Sequence, residues 1–194
     1  MMDDAIFYQE WLPLDKKEFR ILAMLADRDG EYHGNLTDMC RYFSISAQQK
    51  TRTALREAIQ TLTEHNFIES SLSGRTFHLR LIPTANEISL PRNWLTRLRQ
   101  HKYSADSVSW EVIVKVILWL EENGHDVITN QQIADELNIS DSVIVSAKKV
   151  LYKDFDGLLR KRRCKIVNDE FRCIGQVHVL SAWWKEGYTA EKTE

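Results

Sequence analysis

Two stretches of the chain share one pattern of apolar and polar positions that is typical of a helix, a short turn and a second helix. The first stretch runs from Asn35 to Ser46, and the second runs from Thr129 to Ser140. Their apolar residues superpose with one constant offset: Met39 on Ile133, Cys40 on Ala134, Phe43 on Leu137 and Ile45 on Ile139. An internal repeat of this kind predicts two copies of one supersecondary unit.

The sequence around the first copy predicts three helices followed by a hairpin. The expected helix starts carry capping patterns, Asp15 with Glu18, then Asn35, then Ser46 with Gln49. The first helix is expected to end at Gly30, and the third to bury Leu55, Ile59 and Leu62. The period then changes to two, and residues 67–72 and 75–82 flank a two-residue turn at Ser73-Gly74. Pairing about this turn sets Ile68 opposite Leu79 and Ser70 opposite Phe77.

The second copy lies in a similar run of elements. Residues 110–123 are apolar on almost every side, which predicts a helix that is buried all round. Thr129 with Gln132 is expected to cap the next helix, and a third helix is expected from about Asp141 to Phe155. A hairpin with Asn168-Asp169 at its turn follows.

These patterns predict an α+β fold that is mainly α with small β-hairpins. The predicted organisation is a first domain at 1–85, a helical linker at 86–106, a second domain at 107–182 and a polar C-terminal tail at 183–194. The linker is expected to contain a short amphipathic helix, with the apolar residues Trp94, Leu95 and Leu98 and the basic residues Arg92, Arg97 and Arg99.

The net charge of −2 favours no class of partner, but the charges are unevenly distributed. Residues 1–40 carry nine acids against four bases, whereas residues 148–165 carry eight bases against two acids. A basic patch on a nearly neutral protein is a common signature of DNA binding, although it is also compatible with a solvated charged face. The patch coincides with a predicted helix and hairpin, which favours the DNA interpretation.

The repeated pattern resembles the winged helix-turn-helix superfamily of DNA-binding proteins, over residues 15–82 and 107–180. The resemblance implies two tandem winged-helix domains, in which the third helix enters the major groove and the hairpin, or wing, touches an adjacent groove or the backbone. Carried onto the first copy, the reading residues are Ser46, Gln48, Gln49, Lys50, Arg52, Thr53 and Arg56, with Tyr42 near a phosphate and Arg75 at the wing tip. Gln can pair with adenine and Arg with guanine, and the set contains no carboxylate.

The second copy has a less typical reading helix and a more basic wing. Its expected exposed face shows Asp141, Ser142, Ile144, Val145, Lys148 and Lys149, whose two apolar members suit thymine methyl groups or, more naturally, a protein contact or interdomain seam. The predicted pairing of the wing sets Lys165 opposite Arg172 and Arg163 opposite Ile174, with Arg160 and Lys161 nearby. Attraction to phosphates without base reading is the simplest interpretation.

The same pairing sets Cys164 opposite Cys173. Opposed thiols could form a disulfide and act as a redox switch, or they could be two small buried hydrophobic side chains. Three widely spaced cysteines give no zinc pattern and no disulfide framework.

The sequence predicts no enzyme, no cofactor and no metal site. It has no Gly-rich phosphate loop, and its six histidines lack ligand spacing. No secretory signal and no apolar run long enough to span a bilayer are recognised, so the expected location is the cytoplasm, without membrane contact.

The sequence therefore predicts a double-stranded DNA-binding protein, either a replication initiator of the plasmid or phage type or a transcriptional regulator. The alternative is a non-enzymatic protein–protein adaptor of a chromosome- or plasmid-maintenance complex. One small domain cannot cover the apolar helix between Trp110 and Leu120 alone, so we expect that helix to pack against the Trp94-Leu95-Leu98 helix, the first domain or its own copy across a two-fold axis. Contact within the chain together with a homodimer through this helix is the favoured arrangement.

Overall fold

The computed structural model of the protein is a mixed α+β fold that divides into two compact units, residues 1–100 and residues 101–194. It describes residues 4–103, 108–123, 129–155, 159–166 and 172–180, the last two ranges as backbone only. Within those ranges lie seven α-helices and three small antiparallel sheets. In the described parts of the chain, every helix is too short or too polar to cross a membrane.

Three helices of the first unit follow the predicted order. They are α1 (Lys16–Ala26), α2 (Leu36–Tyr42) and α3 (Gln49–Glu64). Asp15 caps α1 in a capping box with Glu18, and Asn35 caps α2 through its side chain, as the sequence predicts.

Two predicted helix boundaries in the first unit are wrong. The N-cap of α3 is Gln48, which makes no side-chain cap bond, so Ser46 and Gln49 do not form the expected capping box. Helix α1 ends at Ala26 rather than at Gly30, because the chain tightens into a turn over residues 27–30, in which the Arg28 amide donates to the Leu25 carbonyl and Asp29 and Gly30 adopt left-handed conformations.

The hairpin belongs to a three-stranded sheet of β2 (Glu31–Gly34), β3 (Ile68–Ser73) and β4 (Thr76–Leu81), in the order β2-β4-β3. Ile68 pairs with Leu81, so the predicted register is wrong by two residues, and the turn is centred on Gly74-Arg75. Gly74 has a φ of +61°, which glycine adopts without strain. A shift of two residues keeps every side chain on its face, so Phe77 and Leu79 are buried as predicted.

A second sheet in this unit joins distant parts of the chain. Strand β1 (Asp4–Tyr8) pairs antiparallel with β5 (Glu87–Pro91), and β5 leads directly into α4 (Arg92–Gln100). The predicted amphipathic helix is present, with Trp94, Leu95 and Leu98 buried. It packs against β1 and β5, so this part of the predicted linker is an integral part of the first unit.

The core of the first unit lies between α1, α3 and the two sheets. Phe7 of β1 stacks on Phe19 of α1, with ring centroids 6.1 Å apart, and contacts Trp11 edge-on. All three side chains are fully buried. Helix α1 is therefore held in place by contacts with β1, α3 and β4.

The second unit contains α5 (Trp110–Asn123), α6 (Asn130–Leu137), α7 (Asp141–Asp154), β6 (Leu159–Ile166) and β7 (Arg172–Leu180). The bounds of α5 are those the sequence predicts, and Thr129 caps α6 in the predicted box with Gln132. Helix α5 contacts α6, α7 and β7 and is buried on almost every side, including the charged residues Glu111 and Lys115.

The predicted register of the second hairpin is wrong. Cys164 pairs with Gly175 rather than with Cys173, and Arg163 pairs with Gln176 rather than with Ile174, an offset of two residues. An irregularity between Cys164 and Ile166 reduces the offset to one, so that Ile166 rather than Lys165 pairs with Arg172. The predicted turn residues, the residues around Gly124 and the tail at 183–194 lie outside the described residues.

Candidate nucleic-acid interface

The start of α3 presents a polar surface free of carboxylates. Its first turn contains no acidic residue. The exposed residues at this end of the helix are Ser46, Gln48, Gln49, Lys50, Thr53 and Arg56, and Arg52 is half-buried. This surface is therefore rich in hydrogen-bond donors, and its formal charges are all positive.

Helical periodicity explains why these side chains face outward. The opposite side of α3 buries Leu55, Ala58, Ile59 and Leu62 against α1, α2 and β3. Residues three or four positions apart lie on one face of a helix. Burial of the apolar stripe thus fixes Gln49, Thr53 and Arg56 on the solvent side.

The tertiary structure extends this surface into a groove. The groove lies between α3, the start of α2 and the turn of the β3–β4 hairpin. Its charged lining residues are Arg41, Arg52, Arg56, Arg75 and Asp38. Four guanidinium groups against one carboxylate give the groove an excess of positive charge that attracts anions.

The contacts inside the groove are sparse. Arg52 Nη2 donates to Gln49 Oε1 over 3.3 Å, and Arg41 Nη1 donates to Asp38 Oδ1 over 2.8 Å. Across the described residues, Arg56 and Arg75 have no ion-pair partner. These two guanidinium groups can therefore bind an external anion without first breaking an internal pair.

Sequence reasoning missed Arg41, which the structure adds to the groove. Arg41 lies in the last turn of α2 with its side chain exposed. From the sequence alone it is indistinguishable from any basic residue on a solvated helix face. Only the docking of α2 beside the hairpin brings it toward Arg75. No local signal in the sequence identifies this proximity.

Tyr42 lies apart from the groove. Its hydroxyl donates to Asp27 Oδ2 over 2.5 Å, and Arg99 lies over its ring at 3.8 Å from the centroid. Burial and the neighbouring Asp27 carboxylate raise the pKa of the Tyr42 phenol. A phosphate would have to displace Asp27 to reach this hydroxyl, which makes Tyr42 a less suitable contact than the sequence suggests.

The corresponding helix in the second unit, α7, differs from the prediction. Ile144 is fully buried and Val145 is half-buried, so the expected exposed apolar pair is wrong. Lys148 is also buried, and its Nζ donates to Asn130 Oδ1 over 2.6 Å. Lys149 remains exposed, together with Asp141 and Ser142.

The backbone of β6 and β7 carries the remaining predicted contacts. Arg160, Lys161, Arg163 and Lys165 belong to β6, and Arg172 belongs to β7. Their side chains lie outside the described part of the protein. Their contribution to an interface stays a prediction.

No protein-family model, curated protein or solved structure matches this chain. In the described ranges, no group of three or more His, Cys, Asp or Glu side chains is arranged to hold a metal ion.

Proposed function

We propose that the protein binds double-stranded DNA through two tandem winged helix-turn-helix domains, as a replication initiator or a transcriptional regulator. The observation that carries the proposal is the groove beside α3. It combines glutamine and arginine side chains suited to base edges with arginines suited to phosphates. The order of three helices and a hairpin in each unit supports the same assignment.

In this proposal the two units have different roles in DNA binding. The exposed start of α3 would read bases in the major groove, while Arg75 at the hairpin turn would contact the adjacent backbone. The second unit would add phosphate attraction through its basic strand β6. The buried Lys148 is left out of this interface, and the exposed Lys149 is kept.

The protein–protein adaptor alternative was supported by an expected exposed apolar pair, Ile144 and Val145, on α7. Ile144 is buried and cannot contact a partner protein, so this support is lost. The argument for a homodimer through the helix between Trp110 and Leu120 weakens for a similar reason. The large apolar side chains of this helix are already buried in the single chain. Burial of this helix therefore does not require a second subunit.

In vitro selection from a randomised double-stranded DNA library, using the full chain, tests the proposal. Enrichment of a defined motif is expected. Binding of that motif should weaken with Arg56→Ala and with Arg75→Ala, and should be kept with Arg80→Ala, which removes an exposed arginine from strand β4 outside the groove. Recovery of no motif would contradict DNA reading and favour the adaptor. Equal binding of a recovered motif by all three variants would show that the groove does not contact the DNA.

A further inference from the structure

Two histidines that are 45 residues apart in the chain meet on the sheet of the first unit. His33 of β2 and His78 of β4 are direct partners in the antiparallel register. Nε2 of His33 contacts Nδ1 of His78, and the ring centroids lie 3.5 Å apart with the planes at 88°. His33 is exposed and His78 is half-buried, so solvent reaches the pair.

The two imidazoles present converging nitrogen atoms on a rigid support. A neutral imidazole has one nitrogen with a free lone pair, and that nitrogen can accept a proton or bind a metal. The hydrogen-bonded ladder between β2 and β4 already fixes the two backbones. The two contacting nitrogens share one proton in a hydrogen bond, so a metal bound by both rings would replace that proton and move the two short side chains apart, while the strands stay in place.

The surroundings of the pair favour a cation. Glu31 and Glu69 line the same shallow cavity, and both are paired in register with Arg80, which lies between them. Arg80 lies 3.9 Å from Glu69, whereas Glu31 has no ion-pair partner among the residues described. The uncompensated Glu31 carboxylate gives the rim of the cavity a negative charge beside His33.

We propose that His33 and His78 form a binding site for a divalent first-row transition metal such as Zn²⁺, with water in the remaining coordination positions. Imidazole nitrogen is a preferred ligand for zinc, copper and nickel, whereas Mg²⁺ and Ca²⁺ require oxygen ligands. Two protein ligands make an open site with exchangeable positions. The inference is independent of DNA binding.

Titration calorimetry of the full chain with Zn²⁺ tests the site. The background carries Cys164→Ser and Cys173→Ser, which removes two thiols that would compete for zinc. In this background, one saturable binding event is expected. His33→Gln and His78→Gln should each abolish it, and Mg²⁺ should produce no such event.

His65→Gln is the matched control, because His65 is exposed at the end of α3 and its Nδ1 contacts only the nearby Thr61 carbonyl. This variant should keep the zinc event of the background protein. Thermal melting of the zinc-free variants verifies that they are folded. Equal zinc binding by His33→Gln, His78→Gln and the background would overturn the proposal, as would an equal loss in His65→Gln.

Discussion

Ser44 and Asn138 adopt the same left-handed backbone conformation, with φ of 54° and 52°, at corresponding places in the two repeated segments. In each segment the amide of the following isoleucine donates to a carbonyl five residues earlier, from Ile45 to Cys40 and from Ile139 to Ala134, over 3.0 Å. This bond and the left-handed residue together end a helix in the Schellman manner. The repeat seen in the sequence is thus also a repeat of backbone geometry.

Glycine in place of either left-handed residue, Ser44 or Asn138, is expected to stabilise the protein. A serine in this conformation is strained by about 1–2 kcal/mol, a cost that glycine avoids. Ser44→Gly should therefore raise the free energy of unfolding, by less than about 1 kcal/mol because glycine also gains entropy in the unfolded chain. Asn138→Gly should give a smaller gain, since asparagine tolerates this conformation better. Urea unfolding monitored by circular dichroism measures both.

Ser140→Gly is the control for this prediction. Ser140 has a φ of −65° and makes no side-chain cap bond, so glycine relieves no strain there. It should leave stability unchanged or slightly lower it. A Ser44→Gly variant that is less stable than the wild-type protein would show that the turn is not strained at this position.

Ionisation of the buried Tyr32 phenol is expected to destabilise the protein at alkaline pH. Burial, with the nearby Asp38 carboxylate, raises the pKa of the Tyr32 phenol from 10 to about 12, and its hydroxyl donates to the Asn35 carbonyl over 2.9 Å. Because the folded pKa is the higher one, the stabilisation is complete below pH 10 and is lost as pH rises through about 12. Tyr32→Phe should flatten this part of the pH dependence of unfolding. An unchanged alkaline slope would mean that Tyr32 ionises as freely in the folded protein as in the unfolded chain.

Replacement of Gln49 or Arg52 is expected to reduce selectivity for the DNA base sequence. Each is expected to contact one base pair from the start of α3, so replacement with Ala should cost about 1–3 kcal/mol at one position of the selected DNA motif. Anisotropy titrations against single-base variants of the motif measure this loss. Gln60→Ala, an exposed glutamine near the far end of the same helix, should keep the wild-type preference. If Gln49→Ala and Arg52→Ala also kept it, the first unit would not read bases.

The basic residues of strand β6 are expected to contribute to the salt dependence of DNA affinity. Neutralising Lys161, Arg163 and Lys165 to Gln should weaken binding to all DNA sequences alike and reduce the slope of log affinity against log salt by about one per lost phosphate contact. Lys16→Gln with Lys17→Gln, two exposed residues at the start of α1, is the charge control. A slope that stays at the wild-type value would remove this hairpin from the DNA interface.

Local features of the fold could be predicted from the sequence. The capping boxes of Asp15 and Thr129 depend on side chains within a few residues of the backbone groups they satisfy. The bounds of α5 follow its continuous run of apolar residues. The inward faces of β3 and β4 were also predictable, although their register was not. Alternation with a period of two survives a shift of two residues, and so Phe77 is buried in either register.

The candidate site was predicted in part for the same reason. The polar start of α3 follows from the apolar stripe on its other side, which the spacing of Leu55, Ile59 and Leu62 reveals. Arg41 was missed, and Lys148 was placed on the wrong side of α7. Both errors concern the packing of one helix against an element that is distant in sequence.

What the sequence determined by itself is therefore the local order of the chain: which residues form helices, where several of them are capped, and that one segment occurs twice. The tertiary structure decided which distant elements pair, as in the β1–β5 sheet that takes the segment after residue 86 into the first unit, and in the meeting of His33 with His78. The physical reason is that a helix cap satisfies its own neighbouring amides, whereas strand pairing and side-chain burial depend on partners that may lie anywhere along the chain.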